Sequence, residues 1–66
     1  MKLTIELSGI TNADVALFEK MSSNDLTIRV HKTEGFAKVI AFGSYDDLIP
    51  VIMQATSYKN YTIKLH

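Results

Sequence analysis

The chain has 66 residues, with seven acids balanced by seven bases and no cysteine. That length allows one domain with one small core, burying roughly 60% of the unfolded surface, and the missing cysteines exclude a disulfide frame and a thiolate zinc site. Formal neutrality argues against a dedicated nucleic-acid binder, which is usually basic overall.

Leu3, Ile5 and Leu7 alternate with polar residues, the period of a strand, and Ser8-Gly9 interrupts it. Thr11 caps a helix read over Asn12 to Met21, with Asp14 as the acidic half of a capping box and Ile10 and Val15 at the spacing of a hydrophobic staple. Leu17, Phe18 and Met21 then point to the core, and Ser22 to Asp25 end the helix. Leu26, Ile28 and Val30 alternate as a second strand, and Ala37, Val39 and Ala41 as a third. Lys32-Thr33-Glu34-Gly35 turns between them, with Gly35 suited to a left-handed backbone position. Ser44 and Asp47 open a second helix that runs to Ala55. Pro50 falls in its second turn, where the missing N–H removes a hydrogen bond. Either the helix kinks there, or Ser44 to Leu48 form a loose first turn and the regular helix begins near Pro50; the second is expected. Tyr61, Ile63 and Leu65 close the chain with a last alternation.

The order strand, helix, strand, strand, helix, strand is one copy of the ferredoxin-like α+β order, βαββαβ. It predicts a single domain over residues 1–66, a four-stranded antiparallel sheet in the order 4-1-3-2, and two helices on one face. With the alternating aliphatics facing the helices, the other face is open to water. It carries Lys2, Thr4 and Glu6, then Thr27, Arg29 and His31, then Phe36, Lys38, Ile40 and Phe42, then Thr62, Lys64 and His66. A neutral protein has thus segregated its charge, with a mildly basic sheet and acidic helices and turns. Phe36, Ile40 and Phe42 are large apolar groups on this face. Either Phe42 tucks under the Gly43 turn while Phe36 sits harmlessly at the hairpin mouth, or a second copy, a protein partner or stacked bases cover them.

Gly35-Phe36-Ala37-Lys38-Val39, followed by Phe42 and Ser44-Tyr45-Asp46-Asp47, resembles the third strand and second-helix start of RNA-recognition-motif domains. Leu17-Phe18-Glu19-Lys20 is similar to the end of their first helix. The resemblance implies an open sheet that stacks bases on aromatics at two neighbouring central-strand positions and one on the first strand. Phe36 matches one of these; Lys38 and Thr4 stand at the others, and Phe42 comes one residue late.

In the second helix, Leu48, Val51, Ile52 and Ala55 make a sufficient core stripe. Ile49 and Met53 lie to one side of it, either packed against the first helix, as expected, or at a contact with a partner. The longest apolar run, Leu48 to Met53, is far short of the ~20 residues that cross a bilayer. Residues Met1 to Thr4 open no apolar stretch of signal-peptide length. Neither helix carries a basic face, so no membrane partner is expected and the protein is read as soluble and cytoplasmic.

His31 and His66 fall on opposite sheet edges, too far apart to share a metal. Asp46 and Asp47 are helix-start acids. No Ser-His-acid set or phosphate loop can be assembled, so the reading is of a non-enzyme with no metal and no cofactor. The leading expectation is a small accessory protein, of the kind phages also encode. It would bind itself or a larger protein through Phe36, Lys38, Ile40, Phe42, Arg29, His31 and Lys64, or through Ile49 and Met53. The alternatives are a single-stranded nucleic-acid binder using Phe36, Arg29, Lys38 and Lys64, and a dimer that senses a small ligand.

Overall fold

The computed structural model describes residues 1–66, in the order β1 (Lys2–Ser8), α1 (Asn12–Glu19), β2 (Thr27–Thr33), β3 (Phe36–Phe42), α2 (Tyr45–Thr56) and β4 (Tyr61–Leu65). The strands form one antiparallel sheet, β2-β3-β1-β4, which is the expected 4-1-3-2 order read from the other edge. With two helices this is a ferredoxin-like α+β arrangement.

The alternation of β1 and β3 makes the core. Leu3, Ile5 and Leu7 on β1 and Ala37, Val39 and Ala41 on β3 are buried on the helix side. Phe18 of α1 and Leu48, Val51 and Ala55 of α2 close over them. Each large side chain so removed from water contributes about 1.5–3 kcal/mol. No buried polar side chain lacks a hydrogen-bond partner. α1 lies over β2, and α2 over β1 and β4.

α1 starts as its sequence requires. The Thr11 N–H donates to Asp14 Oδ2 at 2.8 Å, and the Asp14 N–H donates to Thr11 Oγ1 at 3.3 Å, a complete capping box. Leu17 departs from expectation, being 46% exposed. The helix is only eight residues long, and its inward stripe runs through Val15 and Phe18 towards Met21. Leu17 stands about 100° round from Phe18 and misses the core.

The carboxyl of Asp14 is held below the ordinary carboxylate range. The Thr11 backbone N–H is the main cause; the hydroxyls of Thr11 and Tyr58 add to it, and partial desolvation opposes it. A carboxyl with a lower pKa folded than unfolded contributes stability above its unfolded value, about 3.9. That contribution is lost as pH falls through the folded value. Asp14→Asn is therefore expected to remove part of the acid sensitivity. Denaturation midpoints at about pH 6 and about pH 3 should lie closer together in the variant than in the native protein.

The second helix corrects the reading of Pro50. The regular helix begins at Tyr45, with Pro50 inside it, rather than at Pro50. The Ser44 Oγ accepts from the Asp47 N–H at 3.3 Å and donates to Asp47 Oδ2 at 2.7 Å, and the Leu48 N–H reaches the Ser44 carbonyl. Burial of both Leu48 and Val51 demands helical phase on each side of the proline. Pro50 and Asp46 are exposed, so water can satisfy the Asp46 carbonyl that the missing N–H leaves free. The β2–β3 turn is also tighter than expected. β2 runs through Thr33, leaving Glu34 and Gly35 as the turn, with Gly35 at φ +73° where a side chain would be strained. Neither helix is long and apolar enough to cross a membrane.

Candidate functional site

Strand register places the open-face residues in rows. Reading β2, β3, β1, β4, one row is Arg29, Ile40, Thr4, Lys64 and the next is His31, Lys38, Glu6, Thr62. Thr27, Phe42 and Lys2 begin a third row, which His66 completes through its backbone bonds to Lys2. Thr33, Phe36 and Ser8 make the fourth. Each residue assigned to this face from the sequence therefore stands on it, and Thr33 and Ser8, read as turn residues, join it. No element covers the face.

At its centre lies a shallow hollow of about 310 Å³, lined by Lys2, Thr4, Glu6, Lys38, Ile40, Lys64 and His66. Arg29 and His31 flank it on β2 through their register with Ile40 and Lys38. Four cations and one carboxylate thus share the face, while the other six acids, Asp14, Glu19, Asp25, Glu34, Asp46 and Asp47, stand on helices and loops. Such segregation gives a neutral chain one positive surface.

The aromatics do not gather. Phe36 and Phe42 are both exposed and end β3, about 20 Å apart at ~3.4 Å per residue. Phe42 does not tuck under the Gly43 turn; the Lys2 ammonium stands 5.9 Å from its ring centroid. Phe36 borders a second hollow, of about 360 Å³, with Ser8, Lys59, Asn60 and Tyr61. The other two positions of the implied base-stacking set hold Lys38 and Thr4, neither of them aromatic. His31 and His66 stand on opposite sheet edges, and the nearest polar side-chain partner of His66 is Thr4 Oγ1 at 3.4 Å. No three His, Asp or Glu side chains converge at one point.

On the helix side, Ile49 and Met53 do not pack against α1. Met53 is 67% exposed and Ile49 is also exposed. Gln54 occupies the flank of α2 that faces α1. Its amide donates to the Tyr58 hydroxyl at 2.9 Å, which donates in turn to Asp14 Oδ1 at 3.1 Å. Burial, chiefly, pushes the Tyr58 hydroxyl pKa up, and its hydrogen bond to Asp14 adds to this. On the helical wheel Ile49 lies on the flank of α2 away from Gln54, and Met53 lies nearly opposite the buried stripe of Leu48, Val51 and Ala55.

The sequence reading missed a further exposed apolar feature. Tyr61 and Leu65 face the helices as expected, yet each is nearly half exposed, and Tyr45 at the start of α2 is more than half exposed. The signal was available in the strand order, because β4 is an edge strand and its helix-side residues have only one neighbouring strand. Compared with protein-family models, curated proteins and solved structures, the chain matches none.

Proposed function

We propose that this protein is a non-enzymatic interaction module whose open sheet face receives a protein segment carrying acidic and apolar side chains. The observation that carries this is the central hollow, where Lys2, Lys38 and Lys64 surround Ile40 on a face with one acid. Cations supply steering and orientation, and Ile40 with the outlying phenylalanines supplies apolar contact.

The RNA-recognition-motif resemblance makes single-stranded nucleic acid the second reading. It has the cations in its favour. Against it stand the separation of Phe36 from Phe42 and the position of Glu6 opposite Lys38, in the middle of any phosphate track.

Amide-resolved NMR titration of the whole chain, at physiological salt, separates the two with two probes, a short Glu- and Leu-rich peptide and an oligothymidine. The expected result is that the peptide shifts the signals of Arg29, Lys38, Ile40 and Lys64 and the oligonucleotide does not. Saturation by the oligonucleotide, with an affinity that falls steeply as salt rises, would replace this reading with the nucleic-acid one.

A further inference from the structure

In an antiparallel ladder, alternate residues of an edge strand direct their N–H and C=O groups to the neighbouring strand, and the rest direct theirs outward. His66 exchanges two backbone bonds with Lys2, at 2.7 and 3.5 Å, and the Ser8 N–H donates to the Asn60 carbonyl at 3.4 Å. These bonds set the phase of β4. Thr62 and Lys64 turn their peptide groups to β1, while Tyr61, Ile63 and Leu65 turn theirs to the free edge of the sheet. The same three residues carry the helix-side side chains of β4. α2, which packs over β1 and β4, exposes Tyr45, Ile49 and Met53. The free edge of β4 therefore joins three unpaired peptide units to the half-exposed side chains of Tyr61 and Leu65.

We propose that a second copy of this chain occupies this edge, with β4 pairing antiparallel to β4 of the other copy about a twofold axis at Ile63. The axis sets Ile63 against its own counterpart, Tyr61 against Leu65 of the second copy, and Thr62 against Lys64 of the second copy. Three outward N–H groups from each copy then find carbonyls, six hydrogen bonds in all, and no outward group of β4 is left over. Tyr61 opposite Leu65 is a favourable aromatic–aliphatic pair, made twice. Other registers fail on charge or coverage. An axis at Lys64 sets two ammonium groups face to face, and an axis at Thr62 leaves Leu65 unpaired.

The opposite edge is guarded. On β2 the outward groups belong to Ile28, Val30 and Lys32, by the same alternation. Pairing two copies about Val30 would bring Arg29 against His31 and Lys32 beside Ile28, so two charged side chains of each copy stand along that seam. β4 has a single lysine, which the Ile63 axis places opposite a threonine. The resulting eight-stranded sheet has both helix pairs on one side and both cationic hollows side by side on the other. A partner with two acidic segments would then bind with avidity.

The test is sedimentation of the whole chain from micromolar to millimolar concentration, with amide hydrogen exchange on the same samples. The expected result is a reversible dimer in which the Tyr61, Ile63 and Leu65 amides are protected and lose protection on dilution. Thr62→Lys leaves the bonds between β4 and β1 in place and opposes two ammonium pairs per dimer, so the dimer Kd should rise about tenfold. Thr62→Glu should lower it by a similar factor. A chain that stays monomeric at millimolar concentration overturns the proposal. So does a dimer whose three β4 amides exchange as they do in the monomer, or whose Kd ignores the charge at position 62. Lys38→Glu should leave this equilibrium unchanged, which separates failure of the edge pairing from failure of the open-face reading.

Discussion

Phe18→Ala is expected to remove most of the stability of this domain. Phe18 is the one buried residue of α1, fully hidden, with its ring centroid 6.1 Å from that of Tyr58. Truncating a buried phenylalanine costs about 3–5 kcal/mol, as lost transfer energy and as a cavity that neighbours refill only partly. A chain of 66 residues has about 3–10 kcal/mol in total, at ~0.05–0.15 kcal/mol per residue. The helix has no second buried anchor, so α1 should detach from β2 as the cavity forms. Thermal denaturation followed by circular dichroism should show the midpoint falling by about 15–30 °C, or no folded baseline at all. Leu17→Ala is the control. One residue away and nearly half exposed, it should cost about 1 kcal/mol or less. Equal effects from the two would mean that α1 packs through a different face.

Lys38→Glu should have the opposite profile, with the fold retained and partner binding lost. Lys38 is exposed at the middle of β3, between His31 on β2 and Glu6 on β1. The substitution sets two carboxylates across a strand pair, a penalty of up to about 1 kcal/mol, which the domain tolerates. On the face it turns four cations and one acid into three and two, at the centre of the hollow. Affinity for the Glu- and Leu-rich peptide should fall on the order of a hundredfold, because an attractive contact becomes a repulsive one. The double change Phe36→Ser with Ile40→Ser should likewise leave a folded chain that binds the peptide weakly. Undiminished peptide binding by Lys38→Glu would move the partner site elsewhere.

The Lys38 prediction rests on a single parity. On β3, Ala37, Val39 and Ala41 are buried while Phe36, Lys38, Ile40 and Phe42 face the other way. A strand's side chains alternate with a period of two, so the pattern alone sorts them once one face is known to be apolar. The same rule made the whole open face readable, residue by residue. Local chemistry made the helix starts readable as well, since Thr11 with Asp14 and Ser44 with Asp47 act over three residues and need nothing distant.

What escaped the sequence depended on neighbours far along the chain. Pro50 reads as a helix start by its own propensity, and only the burial of Leu48 and Val51 on both sides of it holds the helix through it. Leu17 is as apolar as Phe18, and which of them is buried depends on how α1 sits over β2. Ile49 and Met53 fit equally well against α1 or against nothing until the Gln54–Tyr58–Asp14 chain of hydrogen bonds sets the rotation of α2. Alternation places Tyr61 and Leu65 on the helix side, but their exposure follows from β4 having one neighbouring strand instead of two. Periodicity and capping, which act within a few residues, determined the elements, their order and the two faces of the sheet. Helix rotation and edge exposure are sums over contacts between distant segments, and only the tertiary structure decided them.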